Sequence, residues 1–247
     1  MSLQDYIEQL NQAPRNRFWR GPAQQKALAF LDDPARGPHR ALIAPRGAGK
    51  TMLVAEWLKQ RDDNTIVLLS TAASSDKPAA FLHGFLSSVG LGESGTSEVE
   101  RRNLLSVFVQ HQLGRGRRVV LIIDDAEQLQ VPLKTELERL LSLSDHPQFE
   151  TLLIGQADLG PTLLALKPSL HIHGMPGLRP EFACSYLRAR LDLDSDPEQL
   201  PFTPVAAQAL ARQAGGSMER LDRLALKALE RALGGDTTKV GVRLALG

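Results

Sequence analysis

The run Ala44-Pro45-Arg46-Gly47-Ala48-Gly49-Lys50-Thr51 has the residue types and spacing that bind phosphate. Backbone N–H groups that curl round phosphate oxygens at a helix N-terminus need glycine wherever the chain turns through positive φ or touches the ligand. Gly47 and Gly49 stand at those places, and Arg46, Ala48 and Met52 complete the loop and the start of the helix behind it. Lys50 is placed to reach the β- and γ-phosphates, and Thr51 to offer a hydroxyl to Mg²⁺. The pattern G-x-x-x-x-G-K-[ST] is broken only at its first position, by Ala44. That position lies at the strand-to-loop junction, where alanine fits provided its φ stays negative. Pro45 already biases its predecessor towards an extended shape. The expected ligand is ATP with Mg²⁺.

A second group of residues carries the chemistry of hydrolysis. "RRVVLIIDDAEQL" is an apolar strand that ends in paired acids. A strand next to the phosphate loop must present a carboxylate to the Mg²⁺ shell, and Asp124 is that carboxylate by position. Asp125 follows where a general base activates the attacking water, a place commonly held by glutamate. The missing methylene leaves it about 1 Å short, a misplacement that costs on the order of 10²-fold in rate. Glu127 ranks below Asp125 as a substitute base, and the alternative for Asp125 is a helix cap. Gln156, at the end of the strand in "TLLIGQADL", either orients the water, contacts the γ-phosphate or closes a turn.

These residues need a scaffold that brings strand ends together. Short apolar runs begin at Ala41, Thr65, Val119, Thr151 and Leu170, with helical patterns between them. Near-continuous apolarity suits strands buried on both faces, so the expected fold is α/β, a five-stranded parallel sheet flanked by helices. Leu133, Leu137, Leu140 and Leu141 repeat at helical spacing as core. After Pro176 strand-like runs give way to helices, capped by Thr203 with Pro204 and by Ser217 after Gly215-Gly216. The expected division is an ATPase core over 1–176, a small C-terminal helical lid over 177–235 and a tail over 236–247. Val240, Val242, Leu244 and Leu246 alternate in that tail, which suggests an edge strand or a docking segment.

Bulk composition narrows the function classes. A net charge of +1 argues against wholesale nucleic-acid or membrane binding. "GRGRR", Gly114 to Arg118, is the best local basic cluster and reads more readily as a solvated loop. Cys184 is the single cysteine, so an intrachain disulfide is excluded and a reducing cytoplasmic location is expected. The opening "MSLQDYIEQLNQ" carries acids where a signal peptide needs positive charge. No apolar run approaches the ~20 residues of a membrane span, so direct membrane insertion is not expected.

With phosphate loop, acidic strand, polar strand end and helical lid in order, the chain resembles the AAA+ ATPases. Within that superfamily "LIAPRGAGKT", "VVLIIDDAEQL" and "TLLIGQADL" are similar to the ExeA/GspA-type secretion ATPases and the TniB-type transposition ATPases. The resemblance spans about Arg20 to Leu233. It implies ATP held between core and lid, self-association into a ring or filament with nucleotide, and action on a protein partner. A DNA-associated regulator of the transposition type and a non-hydrolysing ATP switch are the alternatives. The N-terminal "FWRGPAQQKALAFL" resembles the segment that covers adenine in these proteins, so Trp19 and Arg20 either flank the base or, for Phe18 and Trp19, fill core.

Two departures from the family pattern point to slow hydrolysis. No arginine occurs from Gln156 to Leu178, where relatives supply one to a neighbouring subunit. Glu219 occupies the place of the lid's sensor arginine, with Arg220 one residue later and about 100° round the helix. ExeA-type proteins also carry a membrane span and a peptidoglycan-binding region, whose absence points to a free cytoplasmic ATPase.

Overall fold

The computed structural model describes residues 3–12, 18–74, 77–142, 146–156, 159, 169–193, 199–235 and 239–246. Lys167, the only Lys or Arg between Gln156 and Leu178, falls outside them. The chain forms two compact units, one of residues 27–44 and 57–174 and the other of residues 1–26, 45–56 and 175–247.

The first unit is built on five parallel strands: β1 (His39–Ile43), β2 (Thr65–Thr71), β3 (Arg118–Asp124), β4 (Phe149–Gly155) and β5 (His171–Gly174), in the order β2-β3-β4-β1-β5. The expected α/β sheet is present. One detail differs: the acidic strand β3 is not next to β1, because β4 lies between them, with Ala41 opposite Leu153 and Leu121 opposite Thr151. On the side of β1 towards the acidic strand, the neighbouring strand β4 therefore leads into Gln156, and Asp124 stands one strand further out.

Alternation along buried strands sends side chains to both faces. Leu121, Ile123 and Leu153 join Phe81, Phe85 and Leu137 in one core, while Val120, Ile122 and Leu152 are equally buried on the other face. Helices α4 (Pro78–Ser87), α5 (Glu98–Gly114) and α6 (Val131–Leu141) supply the first of those cores. Glu136 on α6 is 1% exposed and takes two bonds at 3.0 Å from the Arg102 guanidinium Nε of α5. A buried carboxylate without that partner would be costly, so the pair locks the two helices in register.

The second unit gathers α1 (Leu3–Gln12), the loop and first turns of α3 (Lys50–Leu58), and four C-terminal helices: α7 (Ala183–Arg190), α8 (Pro204–Ala214), α9 (Met218–Gly234) and α10 (Val242–Leu246). Helix α2 (Pro22–Asp32) starts in this unit and ends in the other. Tyr6, Ile7 and Leu10 bury the apolar face of α1 among Leu221, Ala225 and Leu229 of α9. The anticipated caps form: the Thr203 hydroxyl accepts the Ala206 N–H, the Ser217 hydroxyl accepts the Arg220 N–H, and Gly215 closes α8 in the left-handed region. Asp222 accepts bonds from the Tyr186 hydroxyl at 2.9 Å and the Arg190 guanidinium at 3.0 Å, which ties α7 to α9. Burial pushes the Asp222 carboxyl above its ordinary value, against the pull of Arg190.

The tail departs from its alternating pattern. Val240 makes an isolated parallel bridge to Phe202, and the residues after it form α10 instead of a strand. Val240 and Ala245 are buried against the neighbouring helices, and five residues with helical spacing serve that packing better than an unpaired edge would. No described helix is long and apolar enough to cross a membrane.

Candidate nucleotide site

β1 delivers the chain to the loop. Ala44 is buried and its N–H bonds the Gly155 carbonyl at 3.0 Å, so the β1–β4 ladder continues one residue into the motif. Among the described non-glycine residues only Asp125 and Asp192 have positive φ, so Ala44 keeps the negative φ that alanine requires. The next residues turn. Gly47 and Gly49 adopt φ of 76° and 86°, and Leu53 N–H bonds the Gly49 carbonyl at 2.9 Å as α3 begins. Lys50 is half-buried and its Nζ donates to the Pro45 carbonyl at 3.2 Å, which lays the ammonium across the loop; Arg46 and Thr51 are exposed.

The loop meets the start of α9. Met218 N–H donates to the Gly47 carbonyl at 2.9 Å, and a Cβ added to Gly47 would lie 2.1 Å from Ser217 Oγ. Glycine at 47 is thus required twice, by its φ and by the helix cap. Gly47→Ala is expected to destabilise the protein by roughly 2–4 kcal/mol, the left-handed strain plus the steric overlap. An unchanged denaturation midpoint in that variant would show that the loop and α9 are not in contact. Ser217 escaped the sequence reading as anything but a cap, since its closeness to Gly47 spans most of the chain.

Glu219 also faces the loop, its Cβ 3.6 Å from the position a Gly47 Cβ would take, and it pairs with Arg223 at 3.5 Å. Both side chains of that pair are more than 60% exposed, so it adds little. Arg220 is exposed and gives its backbone N–H to Ser217. Trp19 packs edge-on against Tyr186, ring centroids 5.7 Å apart, and against Phe182 at 6.4 Å. Its indole serves the aromatic cluster of the helical unit. Arg20 turns to α3 and pairs with Glu56 at 2.8 Å.

In the sheet unit the acids sit at the end of β3. Asp124 Oδ1 accepts the Asp125 N–H at 2.9 Å. Asp125 lies in the left-handed region, φ 51° and ψ 38°, a conformation in which aspartate is among the less disfavoured residues. Its carboxylate makes no cap bond to the following turn; it accepts from the Thr71 hydroxyl at 3.3 Å instead. Thr71 was not foreseen. It pairs with Asp124 across the β2–β3 ladder, and register alone brings it there. Gln156 has its carbonyl bonded by Leu159 N–H at 3.2 Å, which closes a turn, and its side-chain amide on Glu127 at 2.7 Å.

The donors expected for Mg²⁺, the Thr51 hydroxyl and the Asp124 carboxylate, are both oxygen ligands, as a hard cation requires. Among the described residues no cluster of three or more His, Cys, Asp or Glu could hold a metal unaided.

A family model for an AAA domain matches residues 36–163, just over half of the chain, from before β1 to beyond β4. No curated protein matches the sequence. Among solved structures, a chain of Drosophila ORC bound to DNA has a TM-score of 0.75 at 16% identity, over 99% of this chain and 64% of its own. Cdc6p from Pyrobaculum aerophilum has a TM-score of 0.65 at 17% identity, over 92% of this chain and 66% of its own. The Holliday junction branch migration motor RuvB of Thermotoga maritima has a TM-score of 0.59 at 16% identity, over 96% and 71%. This chain spans just under two thirds of the ORC and Cdc6p chains, and at these identities the likeness is one of fold. With the phosphate loop, the acidic strand end and the polar strand end all inside the matched segment, the chain belongs to the AAA domain family.

Proposed function

We propose that the protein is an ATPase that binds ATP with Mg²⁺ through Arg46 to Met52, turns it over slowly, self-associates in the nucleotide-bound state and acts on a protein partner. The observation that carries the reading is the loop itself, with positive φ at Gly47 and Gly49 and helix α3 beginning at Lys50. Successive N–H groups at such a helix start favour an anion. Thr51 and Asp124 are the proposed Mg²⁺ ligands, and when bound the ion neutralises phosphate charge. Asp125 is the proposed base, Gln156 a residue of the hydrolytic step, and Arg220 a lid contact to the nucleotide.

The sequence motifs support placement with the ExeA/GspA and TniB groups, and AAA membership supports assembly into a ring or filament. The partner reading has a second form, an ATP-dependent regulator on DNA. It is favoured by the ORC structure, which was determined on DNA, and opposed by the near-neutral charge. Calorimetric titration with ATP and Mg²⁺, followed by light scattering of the same samples, tests the proposal. Micromolar binding and a mass above the monomer only with nucleotide are expected. An identical mass with and without ATP would rule out nucleotide-driven assembly, and DNA affinity that falls steeply with salt would favour the second form.

A further inference from the structure

Glu127 follows the acidic pair by two residues, on the short 3-10 turn Ala126–Gln128. Its carboxylate takes Gln156 twice: Oε2 accepts the backbone N–H at 3.2 Å and Oε1 accepts the side-chain Nε2 at 2.7 Å. Glycine at 155 leaves room for the contact and for the turn: a Cβ there would lie 2.6 Å from Leu159 Cδ2 and 3.1 Å from Glu127 Oε2. With Leu159 closing the turn on the Gln156 carbonyl, the residue is held at its N–H, its carbonyl and its amide.

This clamp decides which end of the amide is offered. An ionised carboxylate only accepts, so the group turned towards it must be the NH₂ end. Such charge-assisted bonds are stronger than neutral ones, which fixes the flip. Among the described residues the Gln156 side-chain oxygen accepts no bond. An amide oxygen repels phosphate oxygens and attracts the O–H of water. Both Glu127 oxygens are meanwhile bonded to Gln156, which favours Asp125 over Glu127 as the base.

We propose that Glu127 is a positioning residue, which clamps Gln156 so that its side-chain oxygen holds the attacking water instead of the γ-phosphate. The inference rests on the ATPase reading. In the step concerned the water oxygen bonds to the γ-phosphorus, the bond from phosphorus to the bridging oxygen breaks, and ADP leaves with the electron pair. One water proton passes to the Asp125 carboxylate; the other hydrogen is the one Gln156 accepts, and Gln156 emerges unchanged.

The test is a double-mutant cycle on the whole chain, Glu127→Ala and Gln156→Ala singly and together, with ATP affinity by calorimetry, kcat and KM by phosphate release, and Tm. Each single variant is expected to lower kcat by about 10- to 100-fold, the scale of a misplaced reacting group, with ATP affinity within about two-fold of wild type. The double variant should be no slower than Gln156→Ala, since residues that act as a unit are not additive. Should Glu127→Ala fold poorly, Glu127→Gln keeps the shape and can form only one of the two bonds in its favoured sense, so it should lie between the alanine variant and wild type in kcat. An unchanged kcat in Glu127→Ala, multiplicative losses in the double variant, a loss of ATP affinity, or a wild-type protein that binds ATP without any turnover would each overturn the inference. A wild-type protein that binds no ATP would overturn the nucleotide reading and this inference with it.

Discussion

Lys50→Ala is expected to lower ATP affinity by about 30- to 150-fold while the fold stays in place. A hydrogen bond to a charged group is worth roughly 2–3 kcal/mol once its partner is left without it, and each 1.4 kcal/mol is tenfold in affinity. Lys50 sits at the first position of α3, half-buried, with its Nζ across the loop on the Pro45 carbonyl. Its removal therefore leaves the cores of both units untouched, and Tm should move by no more than a few degrees. Equal ATP affinity in wild type and variant, measured by calorimetry, would sink the assignment of residues 46–52 as the phosphate site.

Hydrolysis should come apart from binding, because the groups concerned are different. Asp124→Ala is expected to remove Mg²⁺-dependent turnover, as the carboxylate proposed for the ion is lost. Asp125→Glu is expected to raise kcat several-fold by restoring the missing methylene. The structure adds a cost to that gain. Asp125 holds a left-handed backbone, which glutamate accepts less readily than aspartate, and its carboxylate rests on Thr71. A small fall in Tm should therefore accompany faster turnover. Phosphate release at saturating ATP, over a range of protein concentrations, is the measurement. A rate that rises with concentration would reveal an arginine supplied in trans, for which Arg179 and Arg190 are the candidates outside the arginine-free stretch. Arg190 is already engaged by Asp222, whereas Arg179 is 66% exposed and only weakly paired with Glu181. A fast wild-type rate that Asp125→Glu abolishes would contradict the role given to this residue.

Much of the scaffold was legible in the residues because its causes are local. The middle of β3, Val119 to Ile123, is apolar without a break since both its faces are covered, and nothing about its partners is needed to see it. Thr203, Ser217 and Gly215 mark helix ends through bonds that reach no further than three residues. Gly47 and Gly49 announce positive φ because a side chain disfavours it.

What tertiary structure alone decided depends on segments far apart in the chain. Strand order is set by crossovers, so the insertion of β4 between β1 and β3 leaves no mark on any of the three strands. The meeting of Thr71 with Asp125 follows from the β2–β3 register, and that of Ser217 with Gly47 from the packing of α9 on a loop some 170 residues earlier. Trp19 reads equally well as an adenine cover or as core, and nothing near it in the chain announces that Phe182 and Tyr186 pack beside it. The tail shows the same limit from the other side. Its alternating residues carry a strand pattern, yet burial of Val240 and Ala245 against other helices outweighs local propensity, and the chain turns helical where that packing requires it.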